Sequence, residues 1–185
     1  PGRGSHADAA DNPGMHVRPP AASVLDGFHP AVADWFARRF PAPTEAQQQA
    51  WPAIASGHDT LVAAPTGSGK TAAYGLPILQ KINVSQYQPQ ALILCPTREL
   101  CLQIADDLND YSKYIDNLKV LPVYGGSSIE SQIKTLKRGV HVVVATPGRL
   151  IDLMNRKTVD LSNLKNVILD EADEMQNMGL TVLIT

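Results

Sequence analysis

Five short, almost unbroken apolar runs separated by stretches of helical periodicity restrict this chain more than any other feature. They are "TLVAA" (60–64), "ALILCP" (91–96), "VLPVYG" (120–125), "HVVVAT" (141–146) and "NVILD" (166–170). A strand with one wet face alternates apolar and polar residues, whereas continuous Val, Ile and Leu suit strands of a parallel sheet covered on both faces. Helical patterns fill the gaps, from Lys70 to Lys81, Glu99 to Tyr114, Ile129 to Arg138 and Arg149 to Asn155. Such alternation predicts right-handed βαβ units and an α/β fold: a mostly parallel open sheet with helices on both faces. Two further helices precede it. "PAVADWFARRF" sets Val32, Trp35, Phe36 and Phe40 at helical spacing, and "PTEAQQQAWPAIASG" offers Thr44 as N-cap and Gly57 as stop.

The chain of 185 residues suits one domain, with 44% hydrophobic and 18% charged residues and a net charge of -2. No global basic field advertises nucleic acid, so binding of that kind would have to come from local geometry. Cys95 and Cys101 are too few for a disulfide framework or a zinc site, and read as small buried hydrophobes in a reducing compartment, the cytoplasm. No apolar run approaches the roughly 20 residues that span a bilayer, so no membrane partner is expected. Residues 1–23, rich in Gly, Pro, Ala and Asp, read as a disordered leader or tag remnant, with His6 and His16 solvated, and residues 24–185 as the domain.

In open α/β sheets, ligands gather beyond the carboxyl ends of the strands. Here each apolar run is followed by a polar or Gly-rich cluster: "PTGSGKT", "PTREL", "GG", "TPGR" and "DEAD". "APTGSGKT" (64–71) fits a phosphate loop, with Ala64 where a first Gly is usual. Thr66, Gly67, Ser68 and Gly69 let successive backbone N–H groups face phosphate oxygens, Lys70 reaches the β and γ phosphates, and Thr71 offers a hydroxyl to Mg²⁺. The helix that starts there adds its positive dipole end. A nucleotide with Mg²⁺ also needs a carboxylate near the metal and a group that orients the attacking water. Asp170 and Glu171 supply both at a strand end, although acids also favour the first turn of a helix.

In this order the motifs resemble those of the DEAD-box ATP-dependent RNA helicases of superfamily 2, in their first RecA-like domain. The resemblance covers about residues 28–180 and rests on "PTEAQ", "APTGSGKT", "PTREL", "GG", "TPGR" and "DEAD". The stretch up to "GSGKT" is also similar to the large helicase-related (Lhr-like) proteins, another branch of superfamily 2, so the chain reads as a mosaic joined near the phosphate loop. The resemblance implies a RecA-like P-loop domain that binds ATP and Mg²⁺. Gln47 would read adenine, and Phe28 is a candidate to stack on it, with core packing the competing reading. Pro96, Thr97, Arg98, Gly125, Gly126, Thr146, Pro147, Gly148 and Arg149 would grip single-stranded or duplex RNA by its backbone, with a surface ion pair the alternative for Arg98 and Arg149.

Further implications concern the end of the sequence. Asp173 would couple to a "SAT" motif and to a second RecA-like domain that supplies an arginine finger. Neither lies within residues 1–185, so the sheet is expected to be incomplete at its C-terminal side, hydrolysis by this chain alone very weak, and unwinding absent. "TVLIT" near the end is strand-like, yet only ten residues separate it from "NVILD", fewer than a parallel crossover needs. Gln176 and Leu180 stand where the resemblance implies apolar and aromatic residues. A DNA-directed superfamily 2 helicase and a non-catalytic nucleotide- or nucleic-acid-binding module remain the alternatives.

Overall fold

The structure, a computed structural model, describes residues 24–62, 64–65 and 67–177. The expectations for the leader, for Thr66, for Leu180 and for "TVLIT" lie outside the described residues.

Four parallel strands form the sheet: β1 (Ala91–Leu94), β2 (Val120–Val123), β3 (Val142–Ala145) and β4 (Asn166–Leu169), in the order β2-β3-β1-β4. The helices are α1 (Pro30–Arg39), α2 (Glu45–Ala55), α3 (Lys70–Lys81), α4 (Arg98–Tyr111), α5 (Ile129–Arg138), α6 (Pro147–Asn155) and α7 (Ala172–Asn177). Because side chains alternate along a strand, β1 feeds two cores. Ala91 and Ile93 join Ile78, Cys101, Ile104 and Leu108 on the face covered by α3 and α4. Leu92 and Leu94 join Val143, Leu150, Leu153 and Met175 on the face covered by α5, α6 and α7. Gly75 sets the α3–α4 distance: a Cβ there would stand 2.8 Å from Leu108 Cδ2.

A third cluster holds the N-terminal helices. Trp35 and Phe36 of α1, Trp51 of α2, and Ala72 and Leu76 of α3 pack together, with Phe36 and Trp51 edge-on at 5.5 Å between centroids. Thr44 caps α2 as expected and forms a full capping box, its Oγ1 accepting from the Gln47 N–H while Gln47 Oε1 accepts from the Thr44 N–H. Helices α3 and α5 have the boundaries that periodicity suggests; α4 begins earlier, capped by Thr97, and ends at Tyr111 rather than Tyr114, and α6 begins earlier, with Pro147 opening its first turn.

Two expectations fail. Residues 60–64 do not form a strand where described, and Leu61 is 93% exposed. A strand exists only as part of a ladder, and among the described residues none pairs with this segment. The apolar runs also do not all end up covered on both faces. β4 lies at a sheet edge, and its Val167 (57% exposed) and Leu169 (40%) face outward. No helix among the described residues is long and apolar enough to cross a membrane.

The amino-terminal side of the sheet is locked by two buried polar side chains. His141 Nδ1 accepts from the Lys119 N–H at 3.0 Å, which leaves Nε2 to donate to the Val84 carbonyl at 3.0 Å and fixes the neutral tautomer. Gln90 bonds both backbone groups of Asn83 and the Gln86 carbonyl. Replacing His141 by Leu removes both bonds and takes from the Lys119 N–H and the Val84 carbonyl their shared partner. The variant is expected to lose about 2–4 kcal/mol in urea denaturation, whereas a loss below about 0.5 kcal/mol would show the lock to be dispensable.

Candidate functional site

Four of the polar clusters sit on one rim, where β1 to β4 end, and the phosphate loop opens α3 facing the acids of that rim. Gly67 (φ 82°) and Gly69 (φ 83°) give the phosphate loop its left-handed turns, and Gly69 occupies the N-cap of α3. Gln47, which is buried, donates from Nε2 to the Gly69 carbonyl at 3.2 Å, so its amide binds the loop and its own N-cap. The structure therefore gives Gln47 a part in holding the phosphate loop. Phe28, partly buried, packs against the N-terminal core: its ring stands edge-on to Trp51 at 5.0 Å. The Ser68 hydroxyl is buried and has no hydrogen-bond partner among the described residues. A cleft of about 680 Å³ opens beside the loop, lined among others by Thr44, Gln49, Leu61, Pro65 and Ser68.

Across from α3, the ladder runs one residue past β4, because the Asp170 N–H donates to the Leu94 carbonyl at 2.9 Å. Asp170 is 8% exposed, and its Oδ2 accepts from the Tyr74 phenol at 2.8 Å. Burial and the neighbouring Asp170 carboxylate push the Tyr74 phenol far up, while the Thr71 side chain offsets this in part; Tyr74 stays protonated and donating. Glu171 Oε1 stands 3.5 Å from Lys70 Nζ, and its backbone is left-handed at φ 55°. The expected pairing of phosphate loop and acids is thus a spatial fact. Asp173 is exposed in the first turn of α7, as is Gln176 further along that helix.

This donor set fits a nucleotide with Mg²⁺. An orphaned buried hydroxyl in the loop, a lysine beside it, and hard oxygen donors on Thr71 and Asp170 are what phosphate and a small divalent cation take.

The remaining rim residues form one connected unit. Thr97 Oγ1 accepts from the Leu100 N–H and caps α4, beside the buried Pro96. The Arg98 guanidinium lies over the Tyr124 ring at 5.0 Å and next to Gly126, whose φ is 81°. Gly125 and Gly148 are exposed, Pro147 opens α6, and Thr146 is its N-cap residue without a side-chain cap bond. Arg149 Nη1 donates to both the Ser127 carbonyl and Gln132 Oε1 at 3.0 Å, and Gln132 Nε2 donates to the Tyr124 carbonyl at 3.2 Å. Neither Arg98 nor Arg149 is in an ion pair among the described residues. Gln132, Tyr124 and Tyr74 escape the sequence reading. Gln132 had a signal, as a polar residue within the Ile129, Ile133, Leu136 stripe of α5.

A parallel sheet carrying a phosphate loop opposed by two strand-end carboxylates defines a RecA-like nucleotide-binding domain. Residues 44–184 match the DEAD/DEAH box helicase family, and the chain belongs to that family. It is 50% identical over 140 residues to the ATP-dependent RNA helicase DeaD of Mycobacterium tuberculosis, spanning 76% of this chain and 25% of that protein. It is 52% identical over 133 residues to the DEAD-box ATP-dependent RNA helicase CshA of Streptococcus pneumoniae, spanning 72% of this chain and 25% of that protein. Among solved structures, a hypothetical ATP-dependent RNA helicase from Sulfolobus tokodaii superposes with TM-score 0.72 at 41% identity, over 80% of this chain and 43% of that one. The yeast DEAD-box splicing factor Prp28 does so with TM-score 0.72 at 37% identity, over 78% and 35%. The chain thus spans about a quarter of the length of these curated relatives.

A Cβ on Gly69 would stand 2.4 Å from Gln47 Nε2, on a backbone that L side chains rarely adopt. Gly69→Ala is expected to cost about 1–3 kcal/mol in chemical denaturation, and an unchanged midpoint would show that the loop does not need this geometry.

Proposed function

We propose that this domain binds ATP with Mg²⁺ and grips RNA by its backbone, as the ATP-binding half of an RNA helicase that separates strands together with a second RecA-like domain. The observation that carries the reading is the double tie between phosphate-loop helix and acids, Lys70 to Glu171 and Tyr74 to Asp170. The names of the relatives, ATP-dependent RNA helicases, point the same way. Two free, buried cysteines suit a reducing compartment, the cytoplasm.

Each residue has a chemical part. Backbone N–H groups of residues 67–70 and the dipole of α3 attract phosphate oxygens, and Lys70 adds a full charge. Lys70 is held meanwhile by Glu171, so phosphate competes with that carboxylate for it and frees Glu171 to accept a proton from an attacking water. Thr71 and Asp170 would hold Mg²⁺, which when bound neutralises phosphate charge. Gln47 supports the loop from below and has one amide hydrogen left for an adenine edge. On the other part of the rim, Arg98, Arg149, Thr97, Thr146 and the exposed Gly125, Gly126 and Gly148 offer charge, hydroxyls and close backbone approach to a phosphate chain. None of these reads a base, so recognition would be independent of sequence.

Binding of the fluorescent nucleotide mant-ADP with Mg²⁺, and anisotropy of labelled single-stranded RNA and DNA of one sequence, test this. Lys70→Ala is expected to weaken mant-ADP at least about tenfold, the charge-assisted contact being worth about 1.5–3 kcal/mol. Equal affinity for RNA and DNA would favour a DNA-directed helicase instead, since 2′-hydroxyl contacts are what separate the two. Gln132→Leu is expected to weaken RNA several-fold while leaving mant-ADP unchanged, because it unfastens Arg149 and Tyr124 without touching the phosphate loop. Unaltered RNA affinity would remove this unit from the interface.

A further inference from the structure

Helix α3 carries two groups to the acids, Lys70 and, one turn on, Tyr74. Residues four apart share a helix face, and here each of the two takes one of two consecutive acids. The Tyr74 ring packs on the α3–α4 core beside Ile78 and Cys95, a place that a phenylalanine ring would fill equally well. Only the hydroxyl distinguishes them, and it is spent on Asp170 Oδ2, a carboxylate that is otherwise nearly sealed from water. Among the described residues no side chain donates to Oδ1.

We propose that Tyr74 is a positioning residue for the metal-binding carboxylate: its O–H holds Asp170 in one rotamer by occupying Oδ2, and reserves Oδ1 for a divalent cation. This rests on the reading that Thr71 and Asp170 hold Mg²⁺ beside a nucleotide. An unfastened carboxylate would have to be ordered whenever the cation binds, and outer partners of metal ligands contribute to affinity in this way. The tie also joins residues 96 positions apart, so the helix that takes the phosphates and the strand end that takes the metal are set in register before either ligand arrives.

The test compares mant-ADP dissociation constants in Mg²⁺ and in EDTA for the chain and its Tyr74→Phe variant. The ratio of the two constants measures the metal-linked part of binding, which a merely structural loosening would not single out. Tyr74→Phe is expected to keep the EDTA constant within about twofold and to shrink the ratio about tenfold. In an Asp170→Asn background the same change is expected to have no further effect on the ratio. An unchanged ratio, an equal loss in EDTA and Mg²⁺, or an additive loss on top of Asp170→Asn would each overturn the proposal. Failure of the unsubstituted chain to bind mant-ADP at all would overturn the nucleotide reading beneath it, and is distinguishable because no variant is needed to see it.

Discussion

The register of the ladder around β1 governs where everything else can be. Leu94 is level with Ala145 on one side and Leu169 on the other, and Ala145 is level with Val123. All four strands are parallel and end at the same height, so the next residues, Cys95, Tyr124, Thr146 and Asp170, emerge together. A slip of one residue in any strand would turn its side chains to the opposite face and move its loop by about 3.3 Å. The complete burial of Ala91, Ile93, Val142, Val143, Val144 and Ala145 makes such a slip expensive. The rim is therefore assembled by apolar packing far below it, and its polar residues need only small local bonds to finish the arrangement.

Those local bonds fall into two groups with little in common. At the amino-terminal side, His141 and Gln90 tie backbone to backbone and are sealed from solvent, out of reach of a ligand. At the carboxyl side, the ties use part of each group. Arg149 spends Nη1 on Ser127 and Gln132, Arg98 rests its flat face on Tyr124, and Lys70 meets Glu171 at 3.5 Å while both side chains keep some exposure. A partly exposed pair of this kind contributes little to stability. Its consequence is pre-organisation: charged groups wait in place, and a phosphate can displace the weaker partner.

Much of this was legible in the sequence because continuous Val, Ile and Leu runs and the Gly-rich loops obey local rules. The fold, the phosphate loop, the strand-end acids and the cap at Thr44 follow from periodicity and residue chemistry alone. What was not legible depends on long-range pairing. Whether 60–64 becomes a strand is decided by a neighbour, not by its own β-branched residues. Whether Phe28 stacks on a ligand or on Trp51 is decided by where α2 lies. Gln47 shows the same limit: its amide was expected to read adenine, and only the structure shows that it also closes the capping box and donates one amide hydrogen to the Gly69 carbonyl. Tyr74 left no trace, since an aromatic residue on an apolar helix face reads as core until its hydroxyl is placed.

The left-handed residue at Glu171 explains how two adjacent acids serve one site. Along an extended strand, successive side chains point to opposite faces, so Asp170 and Glu171 would be divided between the two sides of the sheet. Yet Asp170 reaches Tyr74 and Glu171 reaches Lys70, both on α3. The alternation has to be broken between them, and the break lies at φ 55° of Glu171. A non-glycine residue held there costs about 1–2 kcal/mol, which a glycine would avoid, but a glycine would bring no carboxylate. The turn also lets the chain enter α7 at once, with the Met175 N–H donating to the Glu171 carbonyl at 3.2 Å and the Met175 side chain buried under the sheet. Strain at one residue, helix start and paired acids are a single arrangement, and relieving the strain would separate the acids.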